Sequence, residues 1–374
     1  MASQAQDDPT RAMAPLAASG LFDAAHYLAA YPDVRASGAD PLAHFCRFGW
    51  REGRNPNPCF ETGWYLRENP DVAAEGRNPL LHYAERGEAK GRRPCARFDP
   101  AWYRRFAGLG ARVSPLAHFL ARHGGHAAPP ARFDAAAYLQ RYPDVAAAGV
   151  DAFSHYVLDG AAEGRSPGAA TEAAVIAASD LFDPSFYLIG GPDVGEAGQD
   201  PLAHFCAHGW REGRRPNPYF DPLWYRGTYL AGLREDPNPL LHYVLSGEAA
   251  DLCPAPYFDP GWYRRTYRLR AGVSPLRHYL RHRRSQNFSP TPHFDHAFYL
   301  RANAGTIGPN RDPFAHYLLH GARRDIDPSP RFDAGAYRRA HMAPQGETPG
   351  ASIEDENPLV HFLRQRAKAP PGPP

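Results

Sequence analysis

The chain matches itself at a nearly constant step. Phe22, Phe60, Phe98, Phe133, Phe182, Phe220, Phe258, Phe294 and Phe332 each open a unit, at spacings of 38, 38, 35, 49, 38, 38, 36 and 38 residues. A period of this length implies small supersecondary units that cannot bury their apolar surface alone and must share it with their neighbours. A second level lies above the first, because units one to four recur as units five to eight at offsets of 160, 160, 160 and 161 residues. PLAHFCRFGWREGRNPNP from Pro41 returns as PLAHFCAHGWREGRRPNP from Pro201. The expected organisation is a disordered start over 1–20, units one to four over 21–167, a linker over 168–180 with room for a turn or two of helix, and units five to eight over 181–330. A degenerate capping unit over 331–364 carries an insertion between Tyr337 and Asn357, and a proline-rich tail over 365–374 is expected to be disordered.

Each unit opens with Phe-Asp, or Phe-Glu in the second, and a tyrosine follows the phenylalanine by five residues: Tyr27, Tyr65, Tyr103, Tyr138, Tyr187, Tyr225, Tyr263, Tyr299 and Tyr337. With the acid as N-cap, the two rings are placed to staple the entry of a short helix. Glu61 is the weaker cap. A proline then begins another short turn, as in PDVRASG from Pro32. Further on, Asp40, Asn78, Ser114, Asp151, Asp200, Asn238, Ser274, Asp312 and Asn357 are all good N-caps, and proline follows in every unit but the fourth, which has Ala152. That pattern predicts a second helix of about ten residues, ending near Gly49 in the first unit. Period-two alternation and hairpin dipeptides are missing. The expected fold is all-α, a tandem array of nine short helical repeats of about 38 residues.

Histidine recurs at one register in every unit: His44, His82, His118, His155, His204, His242, His278, His316 and His361. On a helical wheel it points away from the leucine face, in the same direction as the residue four further on, which is Phe48, Arg86, Arg122, Asp159, His208, Ser246, His282 or His320 in the first eight units. Two readings follow. The ring either hydrogen-bonds a backbone carbonyl or capping aspartate of the adjoining unit, or joins a row of imidazoles lining a groove for a metal, an anion or a sugar. The structural reading is favoured, because one ligand per unit does not make a zinc cage. No metal and no cofactor is expected.

Catalytic signatures such as GxSxG, HExxH, the P-loop and GxGxxG are missing from the sequence, and no enzyme is expected. Asp325 and Asp327 form a DxD, but in an inter-unit link and outside any βαβ pattern. Trp50 and Trp210, in GWREGR, are candidates for stacking on a sugar or cation, with closure of a helix end as the structural alternative. The five cysteines form no CxxC pair and read as small buried hydrophobes. Unit seven concentrates Arg264, Arg265, Arg268, Arg270, Arg277, Arg281, Arg283 and Arg284 without an intervening acid, a candidate anion site unless acids of neighbouring units balance it.

The net charge of +2 argues neither for a nucleic-acid binder nor for an acidic surface, so a nucleic-acid partner is not expected, and the arginine-rich usage, with Lys90 and Lys368 the only lysines, suits a high-GC bacterial gene. Apolar stretches fall far short of the ~20 residues of a membrane span. The start of the chain has neither the basic opening nor the apolar core of a secretory signal, so a cytoplasmic location is expected, with export through a non-cleaved signal left open.

The succession FD-x3-YL, PDV, DPL-x-HF, GW-x-EGR resembles a bacterial repeat found beside glycosyltransferase domains and in large secreted calcium-binding proteins of the RTX type. The match covers about Phe22 to Leu363, clearest in units one and five. It implies an accessory module; with neither a glycosyltransferase domain nor glycine-aspartate nonapeptides here, no activity carries over to any residue. The expected function is a non-catalytic repeat scaffold that binds a protein or polysaccharide partner, cell-surface polysaccharide or its biosynthetic machinery. The alternatives are a glycosyltransferase-associated enzyme component acting on sugar nucleotides and, third, binding of an anionic polymer or nucleic acid through unit seven.

Overall fold

Most first and second helices of the units begin where a short polar side chain takes up the first free amides, while the PDV helices such as Pro32–Ser37 begin on proline without a side-chain cap. Asp23 Oδ1 accepts from His26 N at 2.9 Å, and the equivalent aspartates Asp99, Asp134, Asp183, Asp221, Asp259, Asp295 and Asp333 do the same for their own first helices. Glu61 makes no such bond; Asn55 Oδ1 accepts from Thr62 N instead, at 3.0 Å. All nine caps expected for the second helix accept backbone amides. The computed structural model describes residues 9–123, 133–308, 312–342 and 357–368. Among the described residues the fold is all-α, with 24 α-helices and no β-strand, and no single helix is long and apolar enough to cross a membrane.

The second helix is not the ten-residue α-helix expected. In unit one it runs as Pro41–His44 and then widens into a π-helical turn, Phe45–Gly49, with Trp50 N donating to Phe45 O at 3.2 Å. The same α-to-π change recurs at Tyr83–Gly87, Tyr156–Gly160, Phe205–Gly209, Tyr243–Gly247 and Tyr317–Gly321. Each turn ends on glycine, five residues after the recurrent histidine. Units three and seven have His123 and Arg283 at that position, and their helices Pro115–Leu120 and Pro275–His282 stay α-helical. Turns of this kind are uncommon and occur mostly as single widened turns within α-helices.

The chain divides into two compact bodies, Met1–Thr171 and Glu172–Pro374. In the first, residues expected to be disordered form the helix Pro9–Ser19, which packs on Pro41–His44, Phe45–Gly49 and Pro79–His82 and buries Ala12 and Leu16. The cause is an apolar spacing of four, which a chain start rich in alanine partly conceals. Residues 1–8 lie outside the described residues. Units two and three are tied by Glu88, whose Oε1 accepts from Ser114 Oγ and Leu116 N at 3.0 Å each. Rings from units three and four close together, Phe119 and Phe133 lying 5.9 and 5.5 Å from Phe153.

The second body carries the same devices. The expected linker 168–180 contains the helix Ala169–Ser179, with Val175 and Ile176 buried and Glu172 accepting from Asn238 Nδ2 at 3.1 Å. It is a packed element because its apolar pair has a core to enter. Glu248 accepts from Ser274 Oγ as Glu88 does from Ser114. Asp312 caps the helix Pro313–His316 through Oδ1 while its Oδ2 accepts from Arg283 Nε at 2.9 Å and from the buried Tyr219 hydroxyl. The last helix, Pro358–Lys368, extends into residues expected to be disordered; the insertion at 343–356 and the tail from 369 lie outside the described residues.

Candidate functional site

The nine recurrent histidines each bond the tyrosine of their own unit. Tyr Oη lies 3.1 Å from His Nδ1 in Tyr27–His44, and 2.9 to 3.0 Å in Tyr65–His82, Tyr103–His118, Tyr138–His155, Tyr187–His204, Tyr225–His242, Tyr263–His278, Tyr299–His316 and Tyr337–His361. This corrects the expected partner, a backbone carbonyl or aspartate of the adjoining unit. The first helix of each unit aims its tyrosine across the unit, and the short α-turn of the second aims its histidine back. Histidine and tyrosine are 17 residues apart in six units with a π-turn and 15 apart in units three and seven.

The terminal glycine of the π-turn makes room for this pair. A Cβ on Gly49, Gly87, Gly160, Gly209, Gly247 or Gly321 would fall closer than 3.0 Å to the tyrosine oxygen of its own unit. That glycine reads in the sequence as an ordinary helix stop, and its role emerges only with the tyrosine in place. The first eight tyrosines are at most 2% exposed, while Tyr337 is half-buried. Burial pushes the phenols up, Tyr187 to about 12 and Tyr65 further, and holds the imidazoles of His82, His118, His242 and His278 below their ordinary value. In those four units burial therefore keeps both partners in their neutral forms near pH 7.

A second recurrent pair joins the PDV and EGR motifs. Arg54 bonds Asp33 at 2.8 Å, Arg92 bonds Asp71 at 2.6 Å, Arg165 bonds Asp144 at 2.6 Å and Arg214 bonds Asp193 at 2.7 Å. Arg54 and Arg165 also lie over the rings of Tyr31 and Tyr142, at 4.9 and 4.8 Å. Arg165 beside Asp144 holds that carboxyl down at about 2. The constant separation of 21 residues between aspartate and arginine is the signal that could have shown the pairing.

The remaining candidates divide between core and surface. Trp50 and Trp210 are buried, their Nε1 atoms donate to Cys46 O and Cys206 O at 3.3 and 3.2 Å, and Arg51 and Arg211 cover them at 4.3 and 4.0 Å. Their faces are thus closed to a stacking ligand. All five cysteines are free, and Cys46, Cys59, Cys95 and Cys206 are buried. Asp325 bonds Arg338 at 2.7 Å and Asp327 accepts from Ala334 N at 2.8 Å, so both carboxylates of the DxD hold the link to the next unit. In unit seven, Arg264 is paired with Asp251, Arg281 with Asp180 and Arg283 with Asp312, all acids from outside the basic stretch. Arg265, Arg268, Arg270 and Arg284 are exposed and Arg277 is half-buried.

Among the described residues no group of three or more His, Cys, Asp or Glu is placed to hold a metal ion. A hollow of about 540 Å³ lies beside Tyr337, His341, His361, Phe362, Gln365 and Arg366, and one of about 350 Å³ beside Tyr138, Gln140, Ser166 and Thr171. Set against family models, curated proteins and solved structures, the chain matches none.

Proposed function

We propose that the chain is a non-catalytic scaffold of nine tandem helical units that binds a partner, either cell-surface polysaccharide or the machinery that makes it. The observation that carries this reading is the Tyr–His bond, made at one register in nine places. A feature repeated so evenly, with each pair spent inside its own unit, serves architecture better than chemistry, which needs unlike groups gathered at one point. The recurrent arginines and aspartates are used in the same way, in pairs within units. The resemblance to repeats found beside glycosyltransferase domains supports a carbohydrate-linked partner.

A second reading has its own observation. Arg265, Arg268, Arg270 and Arg284 are exposed, and no carboxylate pairs with them among the described residues, which suits an acidic polymer. Glycan-array binding by the full chain, run beside an assay of sugar-nucleotide hydrolysis and transfer with and without Mn²⁺, tests both. Binding to defined polysaccharides without turnover is the expected outcome. Turnover by the purified chain would refute the scaffold; salt-sensitive retention on heparin, lost in R265S/R268S/R270S, with no glycan bound, would transfer the function to the acidic polymer.

A further inference from the structure

The helix Pro275–His282 places two histidines one turn apart, and their rings are the closest of the His–His pairs among the described residues. The centroids of His278 and His282 are 4.6 Å apart. Each ring already has a polar neighbour at Nδ1: Tyr263 Oη at 2.9 Å for His278 and the Gln286 side-chain amide at 3.3 Å for His282. Phe288 packs against both rings, 5.1 Å from the first and 6.1 Å from the second, and so limits their rotation. The Nε2 atom of each is left without a hydrogen-bond partner among the described residues, and both side chains reach solvent.

We propose that His278 and His282 form a two-imidazole site for a divalent transition-metal ion of the Cu²⁺ or Zn²⁺ class, bound through the two Nε2 atoms with water completing the coordination. Imidazole nitrogen suits these ions, and Cu²⁺ is held most tightly by a given nitrogen donor set. A neutral imidazole that binds through Nε2 carries its proton on Nδ1 and needs an acceptor there. Tyr263 Oη supplies one. Gln286 supplies the other by presenting its amide oxygen, a rotation that exchanges two nearly isosteric ends. The positive surroundings are partly cancelled: Arg281 is 2.6 Å from Asp180 and Arg283 is 2.9 Å from Asp312. The arrangement recurs in looser form at His316 and His320, 5.4 Å between centroids, and at His204 and His208, 5.8 Å. The site is independent of the scaffold reading and of any polysaccharide.

The test is titration of the full chain with Cu²⁺ alone, followed by calorimetry and electron paramagnetic resonance. The variant H208A/H320A, in which the unit-seven pair is the one His–His ring contact left among the described residues, should bind one Cu²⁺ with nitrogen hyperfine structure in its spectrum. Adding H282A should remove that signal and weaken binding by more than the roughly tenfold to hundredfold that loss of an outer-shell partner costs. His282 takes no part in a Tyr–His bond, so the metal-free triple variant should melt at the same temperature as H208A/H320A. Equal Cu²⁺ affinity and spectra for the two variants, or no binding by H208A/H320A, would overturn the proposal.

Discussion

Gly87 shows how much a single position can decide. Its missing side chain leaves the space that Tyr65 Oη fills, and the hydroxyl there meets His82 at 2.9 Å. Gly87→Ala should therefore cost about 1–3 kcal/mol by overpacking, read from the midpoint of urea unfolding. Gly63 is the control: it lies in the helix Thr62–Glu68, where an added methyl group would meet no atom closer than 3.5 Å, and Gly63→Ala should leave stability unchanged or raise it by up to about 1 kcal/mol. Equal midpoints for the two variants would remove the case for a steric role. Tyrosine, histidine and glycine each stand out in the sequence as fixed positions in a register. Their convergence does not, because it depends on the crossing of two helices whose mutual angle no local pattern encodes.

Helix starts were the most legible elements, since a cap and the proline after it act through bonds spanning two or three residues. The π-helical turns of the second helices were not, because an i to i+5 ladder has no composition of its own and here accompanies a tyrosine, 17 residues before the histidine, set against the turn. The helix Pro9–Ser19 escaped, and Ala169–Ser179 was legible only as a turn or two of helix in a linker, for another reason. They hold four and six alanines in eleven residues and bury few large apolar side chains, Leu16 in the first and Val175 and Ile176 in the second, too few to register as a periodic face. Yet AASGLFD and AASDLFD stand 160 residues apart, and Ser19 Oγ and Ser179 Oγ donate to Leu16 O and Ile176 O in the same way. The duplicated block thus begins with this helix. Leu16, 1% exposed, is its anchor, and Leu16→Ala should destabilise the first body by about 2–5 kcal/mol. A helix that merely rests on the surface would lose under about 0.5 kcal/mol in the same thermal or urea measurement.

Over the second body as a whole, one buried carboxylate gathers groups from three units. Asp312 meets Arg283, 29 residues back, and Tyr219, 93 residues back, while capping its own helix. Arg283→Met would leave that buried charge without its cation and should cost about 3–5 kcal/mol. Adding Asp312→Asn, which keeps the cap and removes the charge, should restore part of the loss; a double variant no more stable than R283M would show that the charge is not the cause. The recurrent polar ties are far shorter in sequence, 15 to 17 residues for all but one of the Tyr–His bonds and 21 for the four Arg–Asp bonds that join the PDV and EGR motifs. Loops of that length close quickly and at little entropic cost. A chain emerging from the ribosome can therefore lock each unit soon after its histidine clears the exit, whereas the buried Tyr219–Asp312 contact must wait until the eighth unit has been made.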